Sequence, residues 1–357
     1  MGCAPAGLAG PAIFLRPNAM WSPLQQLQKA WSRPAPEPRQ TAPARPVLKP
    51  AATAVPAVVA PMEAAADPDL DRRFVGELLQ VAHWEDTPPS GAERDTLRRL
   101  AALVVQPETD ALVPRRPTAL PRLLGLMQDE NASARELAAL VAQDPALLGE
   151  VMRLANSVQF RGQRRVESLE QALMMLGQWG LRQLVTRALM TPVFSARQGR
   201  FAPRANPRLW DEAARCAHGC AWLTDGDSTR FDAYLAGMVV DTGMIAALRV
   251  MDQVFPPQAQ AGSQQFLATL LPMCARLSVG IARQWQLPAP VIEAIAAHAE
   301  RCADPGRPPT AATLATHLDT AIRCARRLLL KGSGSPEQAL PAGDMACQQE
   351  LERAFCA

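Results

Sequence analysis

Apolar positions recur at helical spacing along most of the chain, and strand-type alternation is absent over any useful length. Two helical patterns come first, "LDRRFVGELLQVAHW" and "GAERDTLRRLAALVV"; in the second, Leu97, Leu100, Ala101 and Val104 fall at i, i+3, i+4 and i+7. From about residue 113 the helix punctuation becomes dense. Ser133-x-x-Glu136 is a capping-box pattern leading to Leu137, Leu140 and Val141. Asp144-Pro145 fits an N-cap followed by proline at the first helical position, ahead of Leu147, Leu148, Val151, Met152 and Ala155. Ser168-x-x-Gln171 is a second capping box, with Leu169, Ala172, Leu173 and Leu176 on one face until Gly177 stops the helix. Leu181, Leu184, Val185, Ala188 and Leu189 repeat the pattern. The expected fold class is all-α, a bundle of short helices joined by tight turns.

Outside that region the pattern fails. Residues 1–68 are rich in proline and alanine, and proline at this density breaks helices and cannot sit inside a sheet, so a disordered tail is predicted. Residues 69–112 are predicted as a helical extension packed on a main domain over 113–332. Residues 333–357, opening "GSGSPEQALPAG", are predicted as a flexible tail finishing in a short polar helix.

Composition narrows the function classes. The chain has 357 residues and a formal net charge of +3, with no lysine–arginine cluster that would argue for a nucleic-acid surface. The eight cysteines are scattered with no Cys-x-x-Cys pair, which points to a reducing compartment. Cys216-Ala-His218-Gly-Cys220 hints at zinc, but positions i, i+2 and i+4 of a helix spread over roughly 200° and cannot converge on one ion, so buried small side chains are expected. No uninterrupted apolar run of about 20 residues is present, so no membrane span is predicted and the cytoplasm is the expected location.

The stretch "LPRLLGLMQDENASARELAALVAQDPALLGEVMRLANSVQF" and the following "VESLEQALMMLGQWGLRQLV" carry an ordered set of features: Leu120-Pro121, Asp144-Pro145, Leu154-Ala155-Asn156-Ser157, Ser168-Leu169, Leu176-Gly177 and Arg182. Downstream, Trp210, "YLAGMVVDTG", Trp285 and "VIEAIAAHAE" follow in order. The set resembles the HDOD domain, the HD-related output domain of bacterial signalling proteins, over roughly 113–330. The resemblance implies an all-helical HD-like bundle lacking the full metal site of HD phosphohydrolases, and a regulatory or sensory role linked to motility, cyclic di-GMP or stress pathways.

Ligand arithmetic tests whether HD chemistry survives. An HD hydrolase holds its metal with several histidines plus aspartates and keeps water positions open. Where the resemblance places the first histidine, Asp211-Glu212 stands; where it places His-Asp, Val240-Asp241 stands; where it places a late His-His pair, Ala297-His298 stands. Valine cannot donate an electron pair, and one aspartate with one histidine makes a poor divalent site. Glu212, Val240, Asp241 and His298 therefore mark a degenerate site. Asp241 is expected to cap the helix that begins after Gly243, and His298 to hydrogen-bond a carbonyl.

Asn156 and Ser157 sit where a helix ends, and asparagine tolerates the left-handed conformation of a C-cap, so a structural role is favoured over a partner contact; Arg182 belongs to the same candidate motif. Arg161, Arg164 and Arg165 form a compact basic loop that is either solvated or meets an acidic partner. No phosphate loop, dinucleotide fingerprint or nucleophile elbow is present. The expectation is a non-catalytic regulatory protein with no cofactor and no catalytic or metal-ligating residue. Its expected partners are unidentified signalling proteins, with a small ligand as a further candidate and neither nucleic acid nor membrane. The competing readings are a divergent metal-dependent phosphohydrolase and a ligand sensor without turnover.

Overall fold

The computed structural model describes residues 68–107, 111–128, 134–157, 166–195, 198–224, 227–306, 313–331 and 342–355. Residues 1–67 of the tail predicted over 1–68, Ser133 of the first capping box and the basic loop at Arg161, Arg164 and Arg165 lie outside them, whereas Pro68 opens the first helix. The described residues form α1 (Pro68–Leu79), α2 (Gly91–Val105), α3 (Leu120–Gln128), α4 (Ala134–Ala142), α5 (Pro145–Ala155), α6 (Leu169–Phe194), α7 (Ala202–Leu223), α8 (Asp227–Val239), α9 (Thr242–Val254), α10 (Gln264–Gln284), α11 (Ala289–Ala303), α12 (Thr313–Leu330) and α13 (Ala342–Phe355). Among them there is no strand, only one isolated bridge between Glu85 and Ser263.

The caps explain where helices start. Asp144 Oδ1 accepts from the amides of Ala146 (2.9 Å) and Leu147 (3.1 Å), with Pro145 in the first turn of α5. Ser168 Oγ accepts from Gln171 N (3.2 Å), while Gln171 Oε1 returns its bond to the amide of Glu167 (2.7 Å), one residue earlier than a full capping box would. Gly177 breaks α6 with φ 68° and ψ −177°, a conformation only glycine adopts cheaply, and the chain then resumes as a helix.

One core, running from Leu70 on α1 to Leu330 on α12, takes in α1 and α2 together with the later helices. The helices α7, α8 and α12 pack on one another, and α10 packs on α9, α11 and α2. The buried face of α2 differs from the predicted stripe. Glu93, Thr96, Leu100 and Leu103 are buried, whereas Ala101 is exposed. The rotation follows from Glu93, whose carboxylate accepts from the amides of Ser90 (2.6 Å), Gly262 (2.9 Å) and Ser263 (3.1 Å) and so ties the start of α2 to the start of α10.

At the C-terminus the expected short helix is present over residues 342–355, but it is docked on α12 where a flexible tail was predicted. Asp344 of α13 is buried between Arg323 (2.9 Å) and Arg327 (2.7 Å) of α12, and Cys347 and Leu351 fill a small apolar cluster with Cys324. Two stretches, Thr229–Val254 and Gln264–Gln284, reach a mean hydropathy of 1.4 and are long enough to cross a bilayer by length and composition, although no uninterrupted apolar run marks them. Their apolar windows are 89% and 56% buried in the helical core, which accounts for that composition.

Candidate functional site

Val240 and Asp241 form the turn between α8 and α9. Val240 is buried in the core at 2% exposure. Asp241 occupies the N-cap position of α9, one residue before Thr242, but its side chain makes no capping bond. The expectation that it caps a helix is corrected here, and its carboxylate has a stronger partner. Asp241 Oδ1 accepts from Arg326 Nη2 at 3.2 Å. Nor does the helix begin after Gly243: that glycine lies in the first turn of α9, where its amide donates to Ser278 Oγ (2.9 Å) of α10.

Arg326 organises the site. It lies on α12 among Leu318, Ile322 and Ala325, yet it is itself buried, with 5% exposure. Its Nε donates to Glu212 Oε1 of α7, its Nη1 to Asp71 Oδ1 of α1 (2.7 Å) and its Nη2 to Asp241. The guanidinium face lies over Phe74, 5.0 Å from the ring centroid. A planar cation with a fixed fork of donors is suited to gather three carboxylates that approach from two helices and a turn. Burial works against its charge, but Glu212, Asp241 and Asp71 outweigh that and hold Arg326 well above the usual arginine range.

Glu212 is wholly buried, and burial pushes its carboxyl well above the usual range; Arg326 offsets this in part and Asp241 adds to it. The outer oxygens, Glu212 Oε2 and Asp241 Oδ2, are buried and receive no N–H or O–H donor from the described residues.

His298 of α11 sits close enough to feel the charges of Arg326 and Asp241. Its expected carbonyl partner is replaced by two side chains. Nδ1 lies 2.9 Å from Asp319 Oδ1 and Nε2 lies 3.4 Å from Cys302 Sγ.

These residues do not suit a divalent ion. Val240 offers no electron pair, both His298 nitrogens are engaged, and a guanidinium stands on the same carboxylates that would bind a cation. Among the described residues, no group of three or more His, Cys, Asp and Glu side chains is arranged to hold a metal. Cys216 and Cys220 are buried on α7, and His218 turns to Glu350 of α13 at 3.2 Å.

Asn156 lies apart from this cluster. It is the C-cap of α5, but with φ −94° and ψ 4° it is not left-handed, contrary to the sequence expectation. Its side chain works as a clamp. Nδ2 donates to the carbonyls of Met152 and Val166, and Oδ1 accepts from Val166 N, each at 2.9 Å. It thereby ties the end of α5 to the approach to α6, and no left-handed backbone is needed. Ser157 contributes its amide to Leu154 O (2.9 Å). Among the described residues the buried Nε of Arg182 has no partner, and no hydrogen bond joins Arg182 to Asn156. Asn156→Ala should lower stability by about 1–2 kcal/mol. Chemical denaturation checks this, and an unchanged midpoint would remove the clamp role.

Asp71, Arg326, Asp319 and Cys302 were not singled out from the sequence. Arg326 had a readable signal, because it breaks an otherwise apolar helical stripe. Asp71 had none beyond being one of two acids in a first helical turn.

The fold and the cluster define an all-helical domain in which a buried arginine side chain gathers three carboxylates. The chain belongs to the HDOD domain family, which matches residues 113–301. It is 23% identical over 213 residues to an uncharacterized protein of Treponema pallidum (strain Nichols), covering 56% of this chain and 40% of that relative's length. Among solved structures it is similar to an HDOD domain protein of unknown function from Geobacter sulfurreducens, at 18% identity and a TM-score of 0.49, covering 73% of this chain and 88% of that one. A protein from Shewanella amazonensis SB2B, named "Putative metal-dependent phosphohydrolase", is similar at 16% identity and a TM-score of 0.48, covering 74% of this chain and 100% of that one.

Proposed function

We propose that this chain is a non-catalytic regulatory module that signals through protein contacts, in the bacterial cytoplasm and without a cofactor. The observation that carries the reading is the Arg326 guanidinium held by Glu212, Asp241 and Asp71. A buried arginine with three carboxylate partners supplies locally the positive charge a metal would supply, but it offers no open coordination position for a water nucleophile. A fold stripped of that chemistry still presents a rigid helical surface. The motility, stress and cyclic di-GMP settings implied by the family resemblance are where partners should be sought.

The purified full chain should hold well under one equivalent of Mn, Fe or Zn and should not hydrolyse a chromogenic phosphodiester. Asp241→Ala should leave the metal content unchanged. Tight, stoichiometric metal in the wild type that Asp241→Ala abolishes would overturn the reading in favour of a phosphohydrolase. A rise in melting temperature with a nucleotide or cyclic di-GMP, without turnover, would replace it with a ligand sensor, since a ligand that binds only the folded state stabilises it.

A further inference from the structure

We propose that Cys302, His298 and Asp319 form a thiol site that reacts with hydroperoxides, making Cys302 a site of reversible oxidation. Cys302 and His298 are one turn apart on α11, with His298 Nε2 3.4 Å from Cys302 Sγ. His298 Nδ1 lies 2.9 Å from Asp319 Oδ1 on α12. A carboxylate only accepts, so Asp319 places the imidazole proton on Nδ1 and leaves the Nε2 lone pair facing the thiol. Arg301 also pairs with Asp319, which holds the carboxylate between the two helices.

The other cysteines among the described residues are poorly placed for this chemistry. Cys216, Cys220, Cys274, Cys324 and Cys347 are buried, whereas Cys302 is half-buried. Burial pushes the thiols of Cys216, Cys220 and Cys274 up, which keeps them protonated and unreactive. Burial opposes a positive charge on His298, and Cys302 and Asp241 outweigh it, so His298 titrates above the usual histidine range.

The reaction balances with hydrogen peroxide as oxidant. Cys302 sulfur attacks one peroxide oxygen as His298 takes the thiol proton. The S–O bond forms and the O–O bond breaks. Sulfur is oxidised by two electrons to a sulfenic acid, and His298 returns the proton to the departing hydroxide, which leaves as water. Acyl transfer, the other chemistry open to a Cys–His–Asp arrangement, needs N–H donors beside the sulfur for an oxyanion. Cys302 lies in the last turn of α11, where the free backbone groups are carbonyls, and the Asp304 amide is already bonded to Glu300 O.

The test treats the full chain with hydrogen peroxide, traps sulfenic acid with a 1,3-diketone and locates the adduct by mass spectrometry. Cys302 should carry the label and should react about tenfold or more faster than glutathione under the same conditions. His298→Gln should remove that advantage with the helical circular dichroism unchanged, and Cys302→Ser should remove the label at this site. Should His298→Gln fail to fold, native and urea-unfolded wild type decide the matter, because the site predicts that folding accelerates Cys302. An unlabelled Cys302, a rate equal to glutathione, or equal rates in the native and unfolded chains would overturn the proposal.

Discussion

Arg326→Met is expected to destabilise the protein by about 3–5 kcal/mol, the usual cost of removing one partner from a buried ionic cluster. The substitution keeps most of the side-chain volume beside Phe74, so packing is not the main loss. What is lost is the cation shared by Glu212, Asp241 and Asp71, two of which already have a buried oxygen with no donor. Glu212 gives the effect a pH signature. Its folded-state carboxyl already sits well above the usual range because of burial, and Arg326 is the main group pulling it back. Without Arg326 it rises further. A carboxyl raised in the folded state contributes stability below its unfolded value, about 4, and that stability is lost as pH rises through the folded value. The penalty should therefore be smaller in mild acid than at neutral pH and above. Adding Glu212→Gln to Arg326→Met should recover much of the loss, since the remaining problem is uncompensated charge. The exposed pair Arg98–Asp95 provides the contrast: Arg98→Met should change stability by less than about 0.5 kcal/mol. Denaturant titrations of the four proteins at two pH values measure all of this. A penalty for Arg326→Met no greater than that for Arg98→Met would show that the guanidinium does not hold the cluster together.

The Arg326 cluster also shows how far the sequence could be read. Glu212, Val240, Asp241 and His298 could be picked out from the sequence because their order and neighbours follow a motif, and motif order is a one-dimensional property; the structure places Glu212 and Asp241 on Arg326. The group that completes the site is not local in that sense. Asp71 comes from α1 and Arg326 from α12, both outside residues 113–301, and the two are brought together only by the packing of α12 against α1 and α7. The all-α class, the Asp144 cap and the break at Gly177 were legible because each depends on a few neighbouring residues. Asn156 was half legible: its position at a helix end follows from the pattern, but its bonds to Val166 span a loop and set its backbone away from the left-handed region. Asp241 misled for the same reason. An aspartate before a helix is a cap by local rules, and a buried arginine from 85 residues away outcompetes the amides.

Gly243→Ala should be nearly as damaging, at about 3 kcal/mol, through overpacking and not charge. The glycine lies two residues past Asp241, in the first turn of α9, where that turn crosses α10 backbone to backbone. A Cβ built on it would stand far inside van der Waals contact of the Cys274 carbonyl oxygen, and 2.9 Å from both Cys274 C and Ser278 N. These are main-chain atoms of a buried helix, so no rotamer change can relieve the clash. Either α9 moves away from α10 or its first turn unwinds. Both outcomes strain the bond from the Gly243 amide to Ser278 Oγ and shift Asp241, which anchors one arm of Arg326. The substitution should therefore loosen the carboxylate cluster as well as the helix contact. Its effect and that of Arg326→Met should then be less than additive, because each removes part of what the other would lose. Gly149 is the control. It lies inside α5 with nothing within 4 Å of a built Cβ, so alanine there should stabilise the protein by roughly 0.5–1 kcal/mol. Denaturation midpoints of Gly243→Ala, Gly149→Ala and the Gly243→Ala/Arg326→Met double variant decide the point. A Gly243→Ala protein as stable as wild type would mean that α9 and α10 do not meet as closely as described.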